Sequence, residues 1–110
     1  MHEKDIFCKI VEKEIPTDFI MEEENWVAFK DIRPSAPVHV LIVPKRHIAY
    51  LEDAKDSDRE LLGELLLAVH KVAEKLGLAE GGYRIAINQK EDGGQIVPHL
   101  HLHLLGGKKF

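Results

Sequence analysis

The sequence predicts an α+β domain, a five-stranded antiparallel sheet covered by one long helix and one short one. Three observations carry this. The segment 98–105, PHLHLHLL, alternates side chains with the period of a strand, while residues 57–76 place their apolar residues at helical spacing. The other apolar runs have strand length and mostly meet through turns too brief for parallel crossovers. A chain of 110 residues suits one core, so a single domain over 1–110 is expected, small enough for a second subunit to complete its site.

In residues 5–14, Ile6, Phe7, Ile10 and Val11 are spaced for a short amphipathic helix that Pro16 stops. Phe19–Met21 and Trp26–Phe29 read as two strands of a hairpin, with the acidic run 22–25 as its solvated turn. Prolines 34 and 37 make 31–37 a loop, because each lacks an N–H and pushes its predecessor towards extended geometry. Val38–Val43 is the next strand, ended by Pro44. On it His39, Leu41 and Val43 face one way and Val38, Val40 and Ile42 the other. His39 is thus a polar residue on an apolar strand, either a core histidine bonded to backbone or a site residue.

The long helix begins at Ser57, which forms a capping box with Glu60, and ends at Gly77. Leu61, Leu62, Leu65, Leu66, Val69, Val72, Ala73 and Leu76 form its broad apolar face, with His70 off it. Tyr83–Asn88 is a strand, and the Gly-rich turn 89–95 leads into the histidine strand. Gly93 and Gly94 can expose backbone N–H groups to an anion, although such a pair is more often only a turn.

Alternation puts His99, His101 and His103 on one face of the last strand and Leu100, Leu102 and Leu104 on the other. A structural strand would carry Val or Thr more cheaply than histidines that need buried partners. Neighbours two apart stand roughly 6.6 Å apart and the outer pair roughly 13 Å, so the three do not converge on one ion. A nucleophile flanked by two orienting imidazoles fits better, and His101 is the middle one.

Fifteen Lys and Arg against nineteen Asp and Glu leave a slightly acidic chain without a basic run, which argues against bulk nucleic-acid or membrane-surface binding. Cys8 is the one cysteine, and no signal peptide or run of spanning length is present. The cytoplasm is the expected compartment.

The motif HLHLHLL after Asp92-Gly93-Gly94-Gln95 resembles the HxHxHxx signature of the histidine triad family. Ile6-Phe7-x-Lys9-Ile10, Ala28-Phe29-x-Asp31-Ile32, Pro34-x-Ala36-Pro37-x-His39 and Val43-Pro44-Lys45-x-His47 extend the similarity to its Hint branch, in order and spacing. The resemblance implies a purine nucleoside phosphoramidase that cleaves the P–N bond of AMP or GMP conjugates. It implies a homodimer whose two sheets join into one of ten strands, and no cofactor required for catalysis.

Residue by residue, it implies that His101 forms a covalent nucleotidyl intermediate and that His103 contacts phosphate and helps protonate the leaving group. His99 and His39 support them. Asn88, Gly94, Gln95 and Ile96 match the phosphate cradle, Asp31 and Ile32 the ribose clamp, and Ile6, Phe7, Ile10, Phe29 and Ile32 the base slot. Bacterial relatives with CxxC near the N-terminus complete a zinc site with two histidines, and here Asp5, Cys8, His47 and His99 stand at those positions. The competing reading makes Asp5 a helix cap and Cys8 a small buried hydrophobe. Ile96 stands where animal members carry serine, and the chain ends at Phe110 without the longer tail that shapes their leaving-group pocket. Two alternatives are a dinucleoside polyphosphate hydrolase of the Fhit type and a nucleotide-binding scaffold with little turnover.

Overall fold

The computed structural model describes residues 4–110. Its core is a five-stranded sheet in the order β1-β2-β3-β5-β4, antiparallel at every neighbouring pair. The strands are β1 (Phe19–Glu22), β2 (Trp26–Lys30), β3 (Val38–Pro44), β4 (Arg84–Ala86) and β5 (Leu102–Gly106). The short helix α1 (Ile6–Val11) precedes them, and the long helix α2 (Arg59–Lys75) connects β3 to the far edge of the sheet. None of the helices among the described residues is long and apolar enough to cross a membrane.

Period-2 alternation gives the sheet two apolar faces. Trp26, Ala28, Val40, Ile42, Leu100, Leu102 and Leu104 pack with Leu65, Ala68, Val69, Val72 and Ala73 of α2. Val27, Phe29, Leu41 and Val43 face the other way, where Phe7 and Ile10 of α1 cover them. His39, Leu41, His103 and Leu105 share this second face, because His39 stands opposite Leu105 and Leu41 opposite His103.

Several boundaries differ from the expectation. Helix α1 ends at Val11 rather than residue 14, and Lys13 takes a left-handed φ of 64° that no helix can continue. The expected Ser57–Glu60 capping box is absent. Instead a single 3-10 turn over 56–58 leads into α2, and Asp58 accepts the Lys55 N–H at 2.8 Å. Ser57 lies inside that turn rather than at the N-cap of α2, which is Asp58. Leu66, expected on the apolar face, is 53% exposed next to Leu67 at 62%. His70 is exposed as expected and pairs with Glu74.

The histidine strand is shorter than its pattern. Leu102 opposite Ile42 is the last β3–β5 pair; the next two positions would set His101 against Val43 and Leu100 against Pro44, which has no N–H to give. The segment before it is held by another partner, since Leu100 N–H donates to Ile48 O at 2.6 Å. Alternation survives this change: Leu100, Leu102 and Leu104 lie in the α2-facing core, and His99 and His101 are buried near α1. The strand expected at 83–88 likewise shrinks to Arg84–Ala86.

Candidate active site

His101 is buried, with Nδ1 2.7 Å from the carbonyl oxygen of His99. A carbonyl only accepts, so Nδ1 carries the hydrogen and Nε2 keeps its lone pair. Burial lowers the His101 pKa, against the pull of that carbonyl, so the neutral form is favoured. The edge of Phe7 meets the ring at 5.0 Å between centroids, and His103 stacks obliquely at the same distance on another side. The result is an imidazole of fixed tautomer held between neighbours on β5 and α1.

His103, half-buried on β5, is pushed down to about 4, first by burial and then by the charges that His101 and His39 would carry. Its Nδ1 is 2.9 Å from His39 Nε2, and Asp31 Oδ2 lies 3.3 Å from the same His39 nitrogen. Ser35 N–H donates to His39 Nδ1 at 2.9 Å. His39 is therefore both a buried strand residue and a neighbour of the triad. Asn88, two residues past Ala86 on its face, brings its amide to 3.5 Å from His103 Nε2.

A depressed histidine pKa links to stability with a definite sign. Between 6.5 and about 4 the unfolded chain binds a proton at His103 that the folded chain refuses. This stability is present above pH 6.5 and is lost as pH falls through about 4. The urea midpoint of the wild type is expected to drop across that window, and His103→Gln, which cannot titrate, to drop less. Identical pH profiles for the two proteins would contradict the assignment.

The turn after Asn88 is built by side chains that periodicity does not reveal. Gln89 Oε1 accepts Leu51 N–H at 2.6 Å, while Gln95 accepts Lys90 N–H and donates to the carbonyls of Ala49 and Val97. A Cβ on Gly93 would lie 2.3 Å from Gln89 O, so the turn closes only around glycine. Gly94 has a φ of +80°. Gly94 and Ile96 are exposed, leaving this backbone open to solvent.

Of the expected base slot, Phe7, Ile10 and Phe29 come together in one buried cluster, with Phe7 edge-on to Phe29 at 5.8 Å. Ile6 is 50% exposed and Ile32 92%, so neither packs into it. Asp31 is half-buried, and its Oδ1 accepts Arg33 N–H at 2.8 Å.

Asp5, Cys8, His47 and His99 converge, with one ligand atom from each within 4.8 Å of the others. Asp5 does two things at once. Its Oδ1 caps α1 by accepting Cys8 N–H at 2.7 Å, while Oδ2 lies 3.0 Å from His47 Nδ1 and 3.1 Å from His99 Nδ1. Cys8 Sγ is 3.4 and 3.6 Å from the same two nitrogens. A tetrahedral zinc ion sets N–O edges of about 3.3 Å and N–S edges of about 3.6 Å. His99 Nε2 donates to Pro44 O at 2.8 Å, so a neutral His99 turns the Nδ1 lone pair towards the Asp5 carboxylate. Lone pair against carboxylate calls for a cation between them, and the cluster could hold zinc. Burial would raise the Asp5 pKa, but the Cys8 N–H and the charge that a protonated His99 would carry outweigh it and hold the carboxyl low. Burial first, and then the Asp5 charge, push the Cys8 thiol up, which a bound cation would reverse.

An antiparallel α+β sheet that presents a tautomer-fixed imidazole between two others defines a class of protein built around histidine chemistry. The chain belongs to the HIT domain family, whose sequence profile matches residues 12–110. A purine nucleoside phosphoramidase of Escherichia coli K12 is 43% identical over 108 residues, spanning 98% of this chain and 91% of that one. A HIT-like protein of Synechococcus elongatus is 50% identical over 110 residues, 100% of this chain and 96% of its own. Among solved structures, a HIT family hydrolase of Legionella pneumophila superposes with a TM-score of 0.93 at 50% identity, covering 96% of this chain and 95% of that one.

Proposed function

We propose that the protein is a hydrolase that cleaves the P–N bond of purine nucleoside phosphoramidates through a nucleotidyl-histidine on His101. The observation that carries this reading is the 2.7 Å contact between His101 Nδ1 and the His99 carbonyl, which leaves Nε2 as a free nucleophile. His101 Nε2 attacks phosphorus, and the P–N electron pair leaves with the amine nitrogen, which takes up a proton. Water then displaces the histidine and releases the nucleoside monophosphate. His103 and Asn88 face the phosphate together with the backbone of Gly94, Gln95 and Ile96. Asp31 and Ile32 take the ribose, and the Phe7–Phe29 cluster backs the base. The named activity of the Escherichia coli relative supports this choice over P–O–P cleavage. Release of AMP from adenosine 5′-phosphoramidate tests it, and preference for a dinucleoside polyphosphate would reject it.

Asp5, Cys8, His47 and His99 hold a structural zinc in this reading, apart from the reacting atoms. Elemental analysis of protein purified without chelator is expected to find about one equivalent per chain, lost in Cys8→Ala. Less than about a tenth of an equivalent would leave Asp5 as a helix cap alone.

A homodimer joining two sheets into ten strands is also part of the proposal. The edge strand β4 offers unpaired backbone, and Ile85, Leu66 and Leu67 are exposed at 42%, 53% and 62%. Sedimentation at micromolar concentration is expected to give twice the chain mass, and a monomer would contradict it.

A further inference from the structure

Asn88 and the turn that follows it lie beyond the reach of the sheet. Strand β4 stops at Ala86, and Ile87 is 38% exposed, so neither a ladder nor an apolar anchor fixes this part of the chain. Lys90 takes a left-handed φ of 56°, a conformation that a residue other than glycine keeps only when its surroundings impose it. What imposes it is a clasp on residues 49–52. Gln89 Oε1 accepts Leu51 N–H at 2.6 Å, Lys90 Nζ lies 3.1 Å from Glu52 Oε2 and 5.2 Å from the centre of the Tyr50 ring, and Gln95 Nε2 donates to Ala49 O at 2.9 Å.

Gln89 is the centre of this clasp. Its Nε2 donates to the Asn88 carbonyl at 2.9 Å, and its main-chain carbonyl accepts Gly93 N–H at 3.1 Å. One residue thereby grips Asn88 on one side and the turn on the other. The stretch it is tied to is itself fixed at the reacting centre, because Ile48 O accepts the N–H of Leu100, which stands between His99 and His101.

We propose that Gln89 and the Leu51 main-chain N–H form a latch that positions Asn88 and the turn 90–96 for the phosphate of a nucleotide, with Gln89 a positioning residue that touches no substrate atom. The ligand in this inference rests on the nucleotide reading above. The Leu51–Gln89 bond lies at the surface, where water replaces a lost partner and global stability changes little. Its effect is local. Without the latch, Asn88 and the turn leave the binding-competent arrangement for part of the time, and affinity for phosphate falls by the fraction that remains competent. Adenosine, which has no phosphate, escapes that loss.

The test removes each half of the latch. Dissociation constants of AMP and of adenosine are measured by calorimetry for the wild type, Gln89→Leu, Leu51→Pro and the double variant. Proline deletes the Leu51 N–H at a place that accepts it, since Leu51 opens a 3-10 turn and Tyr50 before it is extended at φ −135° and ψ 157°. AMP binding is expected to weaken about fivefold or more in each single variant, the worth of one hydrogen bond, and no further in the double variant than in Gln89→Leu. Adenosine binding should stay within about twofold throughout, and Leu51→Ala, which keeps the N–H, should bind AMP like the wild type. In a second arm, hydrogen exchange of the Leu51 amide is expected to be slowed in the wild type and to speed up in Gln89→Leu. Unchanged AMP affinity in either single variant, an equal loss for adenosine, or losses that multiply in the double variant would overturn the proposal. A wild type that binds neither ligand refutes the nucleotide reading instead, and a Leu51 amide that exchanges as fast in the wild type as in Gln89→Leu would then still overturn the latch.

Discussion

His101→Ala is expected to lower turnover of a nucleoside phosphoramidate by about 10⁴-fold or more while leaving the fold and nucleotide binding nearly intact. The size follows from removing the atom that would bond to phosphorus, for which nothing nearby can substitute. His99 Nδ1 points into the Asp5, Cys8 and His47 cluster, and its Nε2 is spent on the Pro44 carbonyl. His103 Nδ1 is engaged with His39. The small structural effect follows from the ring's surroundings, since its polar partner is the His99 main-chain carbonyl. Far-ultraviolet circular dichroism and a urea titration check the fold, and a steady-state assay checks turnover. Near wild-type turnover would remove His101 from its role.

Leu104→Ala should do the reverse. Leu104 is 0% exposed and packs in the cluster under α2, so truncation leaves a cavity and costs about 2–5 kcal/mol of stability. Below its shifted melting temperature the variant should keep turnover within a few-fold, because the histidine face of β5 is untouched. Thermal and urea unfolding measure the loss. A cost under about 0.5 kcal/mol would mean that this face of the strand is not buried as described.

These two variants separate the faces that alternation alone distinguished. The period of 98–105 was enough to predict that His99, His101 and His103 share a side, and the period of 57–76 was enough for α2. Neither said where ladder hydrogen bonds would stop, because that depends on Pro44 standing opposite Leu100 once β3 and β5 take their register. The same holds for Leu66: the helical period includes it, but in the folded chain it is 53% exposed. Side-chain bonds to backbone were hidden for another reason. Gln89, Gln95 and the Ser35 N–H join residues distant in sequence, or use a group every residue has, so no pattern of residue types marks them. The Asp5, Cys8, His47 and His99 set was legible only through family resemblance, since its members span 95 residues of the chain.

The most direct test of the account is intact-protein mass spectrometry after rapid mixing with a nucleoside phosphoramidate and acid-free quenching. The expected result is a transient species heavier by one nucleotidyl group, mapped to the peptide containing His101 and absent from His101→Ala. Turnover that proceeds in the wild type with no such species, while stereochemistry at phosphorus inverts, would show direct attack by water and contradict the covalent histidine.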